Sequence, residues 1–322
     1  MKKRLLHFGI ILVVVITVNF FIPRALPGSP VRTLVGADVA EMTAEQKLGI
    51  LEAYHLTKPL YVQFGYYIRD LFTGNWGVSF SKRLPITELL TSAVGWTLLL
   101  NVITMVLSVA GGCLLGMRSA FSRRRNKDLP VVLGTTILNS IPPFWIAILL
   151  LAVFAAKLGW FPLYGAYSLW SKHTGFARLF DVLRHLALPV VAMVITSLMP
   201  YFSTTRYSVM KTINEDYVRM AKYRGIPARR VRRRYIVRNA IVPVFTVVMM
   251  DIGYLLGGSV LIETVFSYPG MGVLMRDAVL ARDYPLIQYT FLLSSVLTIA
   301  ALFAADCLLQ RLNPTTEVDD AQ

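Results

Sequence analysis

The chain has 322 residues, of which 55% are hydrophobic and only 16% charged. Water-soluble domains average about 25% charged and 45–50% apolar residues, so this composition excludes an ordinary soluble fold and points to a membrane protein. The formal net charge of +15 leaves nucleic acid, anionic lipid or the cytoplasmic flanks of membrane helices as its partner, and the placement of the charges decides between them.

A helix needs about 20 mostly apolar residues to cross a bilayer. Leu5–Ile22 is the first candidate, behind Lys2, Lys3 and Arg4. A secretory signal would share that design, but the run exceeds the usual h-region and no A-x-A cleavage site follows, so an uncleaved helix is expected. Leu89–Met117 carries no charge; Leu129–Ala156 is equally clean but holds Asn139, Ser140, Pro142 and Pro143. Leu186–Thr205 is bracketed by Pro189 and Pro200, Ala240–Ile262 has the single charge Asp251, and Tyr284–Ala305 has none. The expectation is an all-α integral membrane protein with six transmembrane helices.

Lys and Arg set the orientation. With the N-terminus inside, segments 1–4, 118–128, 206–239 and the tail after 308 hold 20 basic residues in about 65 positions. Segments 23–88, 157–185 and 263–283 hold 13 in about 116. N-in, C-in follows. The chain divides into a first helix (1–23), an external segment (24–88), a five-helix core (89–308) containing a cytoplasmic loop (206–239), and a cytoplasmic tail (309–322).

The external segment is patterned rather than plain. Thr43 and Gln46 have capping-box spacing, and Pro59 opens a second helix on which Leu60, Phe64, Tyr67, Ile68 and Leu71 recur at helical intervals. Gly74-Asn75-Trp76-Gly77 then reads as a turn. A small, partly helical cap on the outer face is expected.

Catalytic and metal signatures are missing. The sequence has no Walker loop and no H-E-x-x-H, and its four histidines (His7, His55, His173, His185) lack metal-ligand spacing. Cys113 and Cys307 sit in separate apolar runs and read as small buried hydrophobes. Asp251 is the exception, because an acid inside a span is costly and often functional. It either bonds between helices or lines a translocation path; Gly253, Gly257 and Gly258 nearby imply close packing. Pro142-Pro143 is likewise either a bend beside a path, with Asn139 near it, or a packing kink.

The loop 206–239 concentrates 11 basic residues. It has no nucleic-acid-binding fold and no aromatic platform, so nucleic acid is excluded, whereas anionic lipid remains a partner. Asp216 suits a helix N-terminus, Tyr217–Lys222 make one or two turns, and Gly225 followed by Ile226-Pro227 ends the helix and redirects the chain. A second helix, Ala228–Asn239, returns to the bilayer, with Pro243 at the entry of span five. Such a hairpin, tethered to two spans, is a mechanical coupler.

Asp216-Tyr217-Val218-Arg219, Ala221, Gly225-Ile226 and then Arg238-Asn239-Ala240-Ile241 with Pro243 resemble the EAA loop of ATP-binding-cassette importer permeases, in its dipeptide, oligopeptide and nickel permease version. Arg219, Met220 and Ala221 stand where that loop has Glu-Ala-Ala. The likeness extends through LPGSPV after span one, LTKPLYVQFGYYIRDLFTGNWGVSF, SIPPFWIAILLL in span three and FSYPGMGVLMRDAVLARDYPLIQ before span six. The resemblance implies the type I importer permease fold, in a bacterial inner membrane. It implies a second homologous permease subunit, two ATPase subunits that carry ATP and Mg, and an external binding protein. No cofactor belongs to this chain itself. It also places Phe266, Tyr268, Pro269 and Gly270 in an external loop near the pore mouth, within reach of the binding protein. Peptides are the expected cargo, with nickel or metallophore complexes as alternatives. An ion-coupled secondary transporter is the rival class; it would show more than one charge within its spans.

Overall fold

The computed structural model describes residues 2–25, 43–53, 57–122, 125–168, 174–253, 255 and 259–312. The LPGSPV stretch, His55, His173, Gly257, Gly258 and the tail from residue 313 lie outside the described residues. In chain order the helices are α1 (Lys2–Ala25), α2 (Ala44–Ala53), α3 (Leu60–Thr73), α4 (Ile86–Phe121), α5 (Arg125–Ser140) and α6 (Pro143–Lys157). They continue with α7 (Phe176–Ile213), α8 (Asp216–Tyr223), α9 (Ala228–Ile252), α10 (Val260–Val265), α11 (Met271–Leu280) and α12 (Tyr284–Leu312). Among the described residues the one β interaction is an isolated bridge between Val78 and Pro85.

Helices α4, α7, α9 and α12 are each long and apolar enough to cross a membrane. The expected third span is a broken pair, with Leu129–Ser140 and Pro143–Lys157 meeting at 94°. Pro142 supplies the break: its φ of −57° and ψ of 137° leave the helical region, and its ring nitrogen donates no hydrogen bond. The described apolar stretch of α1, Leu6–Phe21, is shorter than a full span. Span five is displaced from its expected bounds of 240–262. Its helix starts at Ala228 and stops at Ile252, where Gly253 lacks the side chain and the propensity to carry it on. Pro189 and Pro200 do not bracket a short helix; α7 runs through both for 38 residues. At about 1.5 Å per residue this is ~57 Å, well beyond a hydrocarbon core of roughly 30 Å.

The chain forms two compact units. The first comprises Met1–Thr97, Leu256–Val260 and Pro269–Phe303. Its core gathers Phe20, Tyr67, Ile86, Leu90, Met271 and Leu286. Helix α3 begins after Pro59 and ends on Gly74, whose φ of 74° is the left-handed conformation glycine adopts without strain. Phe64, Tyr67, Ile68 and Leu71 face this core as their spacing predicts, whereas Leu60 is exposed. Trp76 stacks on Tyr289 with centroids 5.2 Å apart. Buried Asp283 ties the turn after α3 to the start of α12. Its Oδ2 accepts from Ser79 Oγ (2.6 Å), Ser81 N (3.0 Å) and Ser81 Oγ (2.9 Å), and its Oδ1 accepts from Leu286 N.

The second unit comprises Leu98–Leu255, Leu261–Tyr268 and Ala304–Gln322. Ile146 and Ala147 of α6, Leu188 and Ala192 of α7, and Ile262 and Phe266 at and beyond α10 make one apolar cluster. Helices α4 and α7 meet where Gly112 and Gly116 bring two backbones together. Ser119 Oγ accepts from Arg206 Nε at 3.0 Å near the end of that crossing.

Candidate functional site

The hairpin at α8 is built on one buried stripe. Val218 and Ala221, three residues apart, are buried against Val209 of α7 and Val231, Ile236 and Ala240 of α9. Covering each apolar side chain of valine size stabilises by about 1.5–3 kcal/mol, enough to hold an eight-residue helix that would not persist alone. The opposite face stays open: Met220 is 55% and Tyr223 85% exposed. Arg219 and Asp216 pair at 3.6 Å, but both are exposed, and such a pair contributes about 0–1 kcal/mol.

Gly225 closes α8 in a Schellman turn. Ile226 N donates to Ala221 O at 3.2 Å and Gly225 N to Lys222 O at 3.0 Å, with Gly225 at φ 70°. Ile226 packs back onto the buried stripe. Asn239 then fastens the returning helix: its Nδ2 donates to Tyr217 Oη at 3.0 Å and to Tyr235 O at 2.9 Å. Arg238 follows a π turn, Val231–Val237, that leads the arginine-rich segment into the span. Arg232 lies over the Phe121 ring at 3.9 Å, a cation–π contact. Tyr217, Asn239 and Pro243 line one open cleft of about 590 Å³ together with Tyr207, Lys211 and Glu215. All eight coupling-loop positions read from the sequence (Asp216, Tyr217, Ala221, Gly225, Ile226, Arg238, Asn239, Pro243) thus lie in one hairpin and its return.

The translocation-path candidates are not gathered in the same way. Asp251 sits in the last turn of α9, half-buried, and accepts a hydrogen bond from the Tyr201 hydroxyl of α7. Pro142 and Pro143 form the sharp bend, and Asn139 is exposed on the turn before it. Among the described residues no hydrogen bond joins Asn139 to Asp251. Nothing local in the sequence marks Tyr201 as the partner of Asp251, since 50 positions separate them. The glycines that position Tyr201 do leave a mark, the small-x-x-x-small spacing of Gly112 and Gly116.

The loop 266–270 corrects one expectation. Phe266 and Tyr268 are buried, so they do not offer their rings to an external partner; Ser267 and Pro269 are the exposed residues there. The physical reason is local. Phe266 O accepts from Gly165 N, and Tyr268 N donates to Glu263 O at 2.7 Å, which folds both aromatics inward. Burial, with the Glu263 carboxylate beside it, pushes the Tyr268 phenol above its ordinary range. Gly270 leads into α11.

Residues 112–318 match the model of the family described as binding-protein-dependent transport system inner membrane component. The chain belongs to that family. The matched stretch contains the hairpin, Asp251 and the bent pair. The oligopeptide transport system permease protein AppB of Bacillus subtilis (strain 168) is 31% identical over 317 residues, 98% of each chain. The glutathione transport system permease protein GsiC of Salmonella typhimurium is 35% identical across 97% of this chain and 96% of its own. GsiC of Escherichia coli K12 is 34% identical over the same shares. A crystal structure of an amino acid ABC transporter with histidines shares the fold, with a TM-score of 0.53 at 14% identity. It covers 70% of this chain and 94% of that one. As a binding-protein-dependent transport component, the chain is the permease subunit of an ABC importer, a multi-pass protein of the bacterial inner membrane. It works with ATPase and binding-protein partners and is not an ion-coupled secondary transporter.

Proposed function

We propose that the chain pairs with a second permease subunit to form a translocation path for peptides, and that α8 is the handle by which two ATPase subunits drive it. The observation that carries the reading is the division of α8 into two faces. Val218 and Ala221 lock it onto α7 and α9, while Met220, Lys222 and Tyr223 face outward. A push on the exposed face therefore moves two membrane helices together. Coupling can be no larger than the difference in contact energy between the two states of the path. ATP and Mg reside on the ATPase subunits, and the external binding protein delivers cargo. The names of the relatives, oligopeptide and glutathione permeases, favour peptides over nickel complexes.

The test is reconstitution of the complex with its ATPases and binding protein, followed by ATP-driven uptake of radiolabelled tri-alanine and glutathione. Co-purification of the ATPase subunits is measured alongside. Replacing the outward pair, Met220→Glu with Tyr223→Glu, is expected to release the ATPases while leaving the permease folded in the membrane. Undiminished ATPase recovery with that variant would move the docking surface away from α8.

A further inference from the structure

We propose that Asp251 and Tyr201 form a binding point for a protonated amino group on the translocation path, so that this permease favours cargo bearing a free ammonium over its N-acylated counterpart; the inference rests on the importer reading above.

Asp251 is the one acidic residue between Ala228 and Ile252. It stands 13 residues beyond Arg238, about 20 Å along the helix at 1.5 Å per residue, which is deep within a hydrocarbon core of roughly 30 Å. A carboxylate there is expensive unless something compensates it. Its place on α9 sharpens the requirement. The helix stops one residue later, so the negative end of its dipole lies beside the acid, and both attract a cation. Transporters that interrupt a helix within the membrane use such ends to hold positive charge.

The described residues supply only half of the compensation. Tyr201 donates to Oδ2, and Tyr201 is buried among Cys113 and Val244 with its Cβ against Gly112, so this donor is fixed. Oδ1 receives no hydrogen bond among the described residues, and none of their Lys, Arg or His side chains forms an ion pair with Asp251. The carboxyl group is half-buried rather than sealed, which leaves it reachable. One oriented oxygen with negative potential around it suits an ammonium, a compact charge with three donors. Calcium or magnesium would need six or more oxygen ligands, and no group of three or more His, Cys, Asp or Glu stands ready among the described residues.

The experiment uses the complete complex in nanodiscs, treated with a hydrophobic carbodiimide that modifies membrane-embedded carboxyl groups. Modification of Asp251 is followed by peptide mass spectrometry with tri-alanine, N-acetyl-tri-alanine or N-acetyl-Ala-Lys-Ala present. Asp251 is expected to react, and tri-alanine to slow the reaction about tenfold, equivalent to occupancy near 90%. N-acetyl-tri-alanine is expected to leave the rate unchanged. Protection by N-acetyl-Ala-Lys-Ala as well would assign the recognised amine to side chains in addition to the N-terminus. Equal protection by N-acetyl-tri-alanine and tri-alanine, no protection by either ammonium-bearing peptide, or an unreactive Asp251 would each overturn the proposal. Tri-alanine uptake by the same preparation separates the two readings. Protection without uptake removes peptide import and keeps the amine site; uptake without protection does the reverse.

Discussion

A Cβ built on Gly112 would lie 2.6 Å from the Cβ of Tyr201, and one on Gly116 would lie 2.7 Å from the carbonyl oxygen of Phe202. Backbone and Cβ atoms are involved, so a flexible side-chain tip cannot swing away to make room. The crossing of α4 and α7 is therefore as close as glycine permits, and it fixes the residue that donates to Asp251. Gly112→Ala is expected to cost about 1–3 kcal/mol of overpacking, with Gly116→Ala similar. Gly95→Ala, on the same helix with open space around it, is the neutral control. Thermal inactivation of detergent-solubilised protein, read by size-exclusion fluorescence, measures this. Equal midpoints for the Gly112 and Gly95 variants would contradict the close crossing.

Gly225 presents the opposite situation. Nothing lies within 4 Å of its Cβ position, so only its φ of 70° resists a side chain. A left-handed residue other than glycine costs roughly 1–2 kcal/mol, less for asparagine and more for a β-branched residue. Gly225→Val is thus expected to distort the Schellman turn and uncouple transport, whereas Gly225→Asn retains it. The comparison is made on ATP-driven uptake at matched membrane abundance. If valine transports as well as asparagine, the turn does not govern coupling.

The apolar runs in the sequence reveal the rough place of the spans, because hydropathy reports composition. It does not report phase, and so the end of α9 at Ile252 and the 94° bend at Pro142 come from backbone chemistry superimposed on uniformly apolar stretches. Prolines mislead in both directions: Pro142 breaks a helix, while Pro189 and Pro200 lie within one. The hairpin was legible because a capping acid, a terminating glycine and a redirecting proline act within a dozen residues. Tyr201 with Asp251, and Ser79 with Asp283, were not, since each pair closes a long loop that no local pattern encodes. Phe266 and Tyr268 show the remaining ambiguity. An aromatic residue in a loop motif serves equally as a core anchor or as a contact, and only packing separates the two.

Asp283 accepts from donors drawn from two places in the chain, with Ser79 and Leu286 buried and Ser81 exposed. Asp283→Ala would leave Ser79 Oγ, Ser81 N and Leu286 N without that acceptor and strip α12 of its first-turn cap. The two buried donors, Ser79 Oγ and the capping Leu286 N, cost about 1–3 kcal/mol each when left unmade, so a total above ~2 kcal/mol is expected. Because the turn after α3 hangs on this carboxylate, limited proteolysis near residues 78–85 should accelerate before the rest of the chain loosens. A variant cleaved no faster than the unaltered protein would show that the turn is held by its apolar contacts alone.

The last prediction concerns acid. Partial burial opposes ionisation of Asp277, but hydrogen bonds from Lys82 (2.9 Å) and Arg276 (2.6 Å), with their charges, outweigh it and hold the carboxyl below its ordinary value of 3.8. A carboxyl whose folded-state value is depressed contributes its stabilisation above the unfolded value and loses it as pH falls through the folded one. The Lys82 link is therefore intact at neutral pH and fails only below pH about 4. Both partners are partly exposed, so solvent and salt weaken the pair. Asp277→Asn should lower the thermal midpoint slightly at pH 7 in dilute buffer, with the gap shrinking in high salt and closing below pH about 4. Lys82→Met should reproduce the shift at neutral pH, since it removes the longer-range partner while leaving Arg276 on its own helix. A midpoint difference that persists unchanged into acid would mean that asparagine perturbs packing at this position, and that the charge of Asp277 is not what holds Lys82.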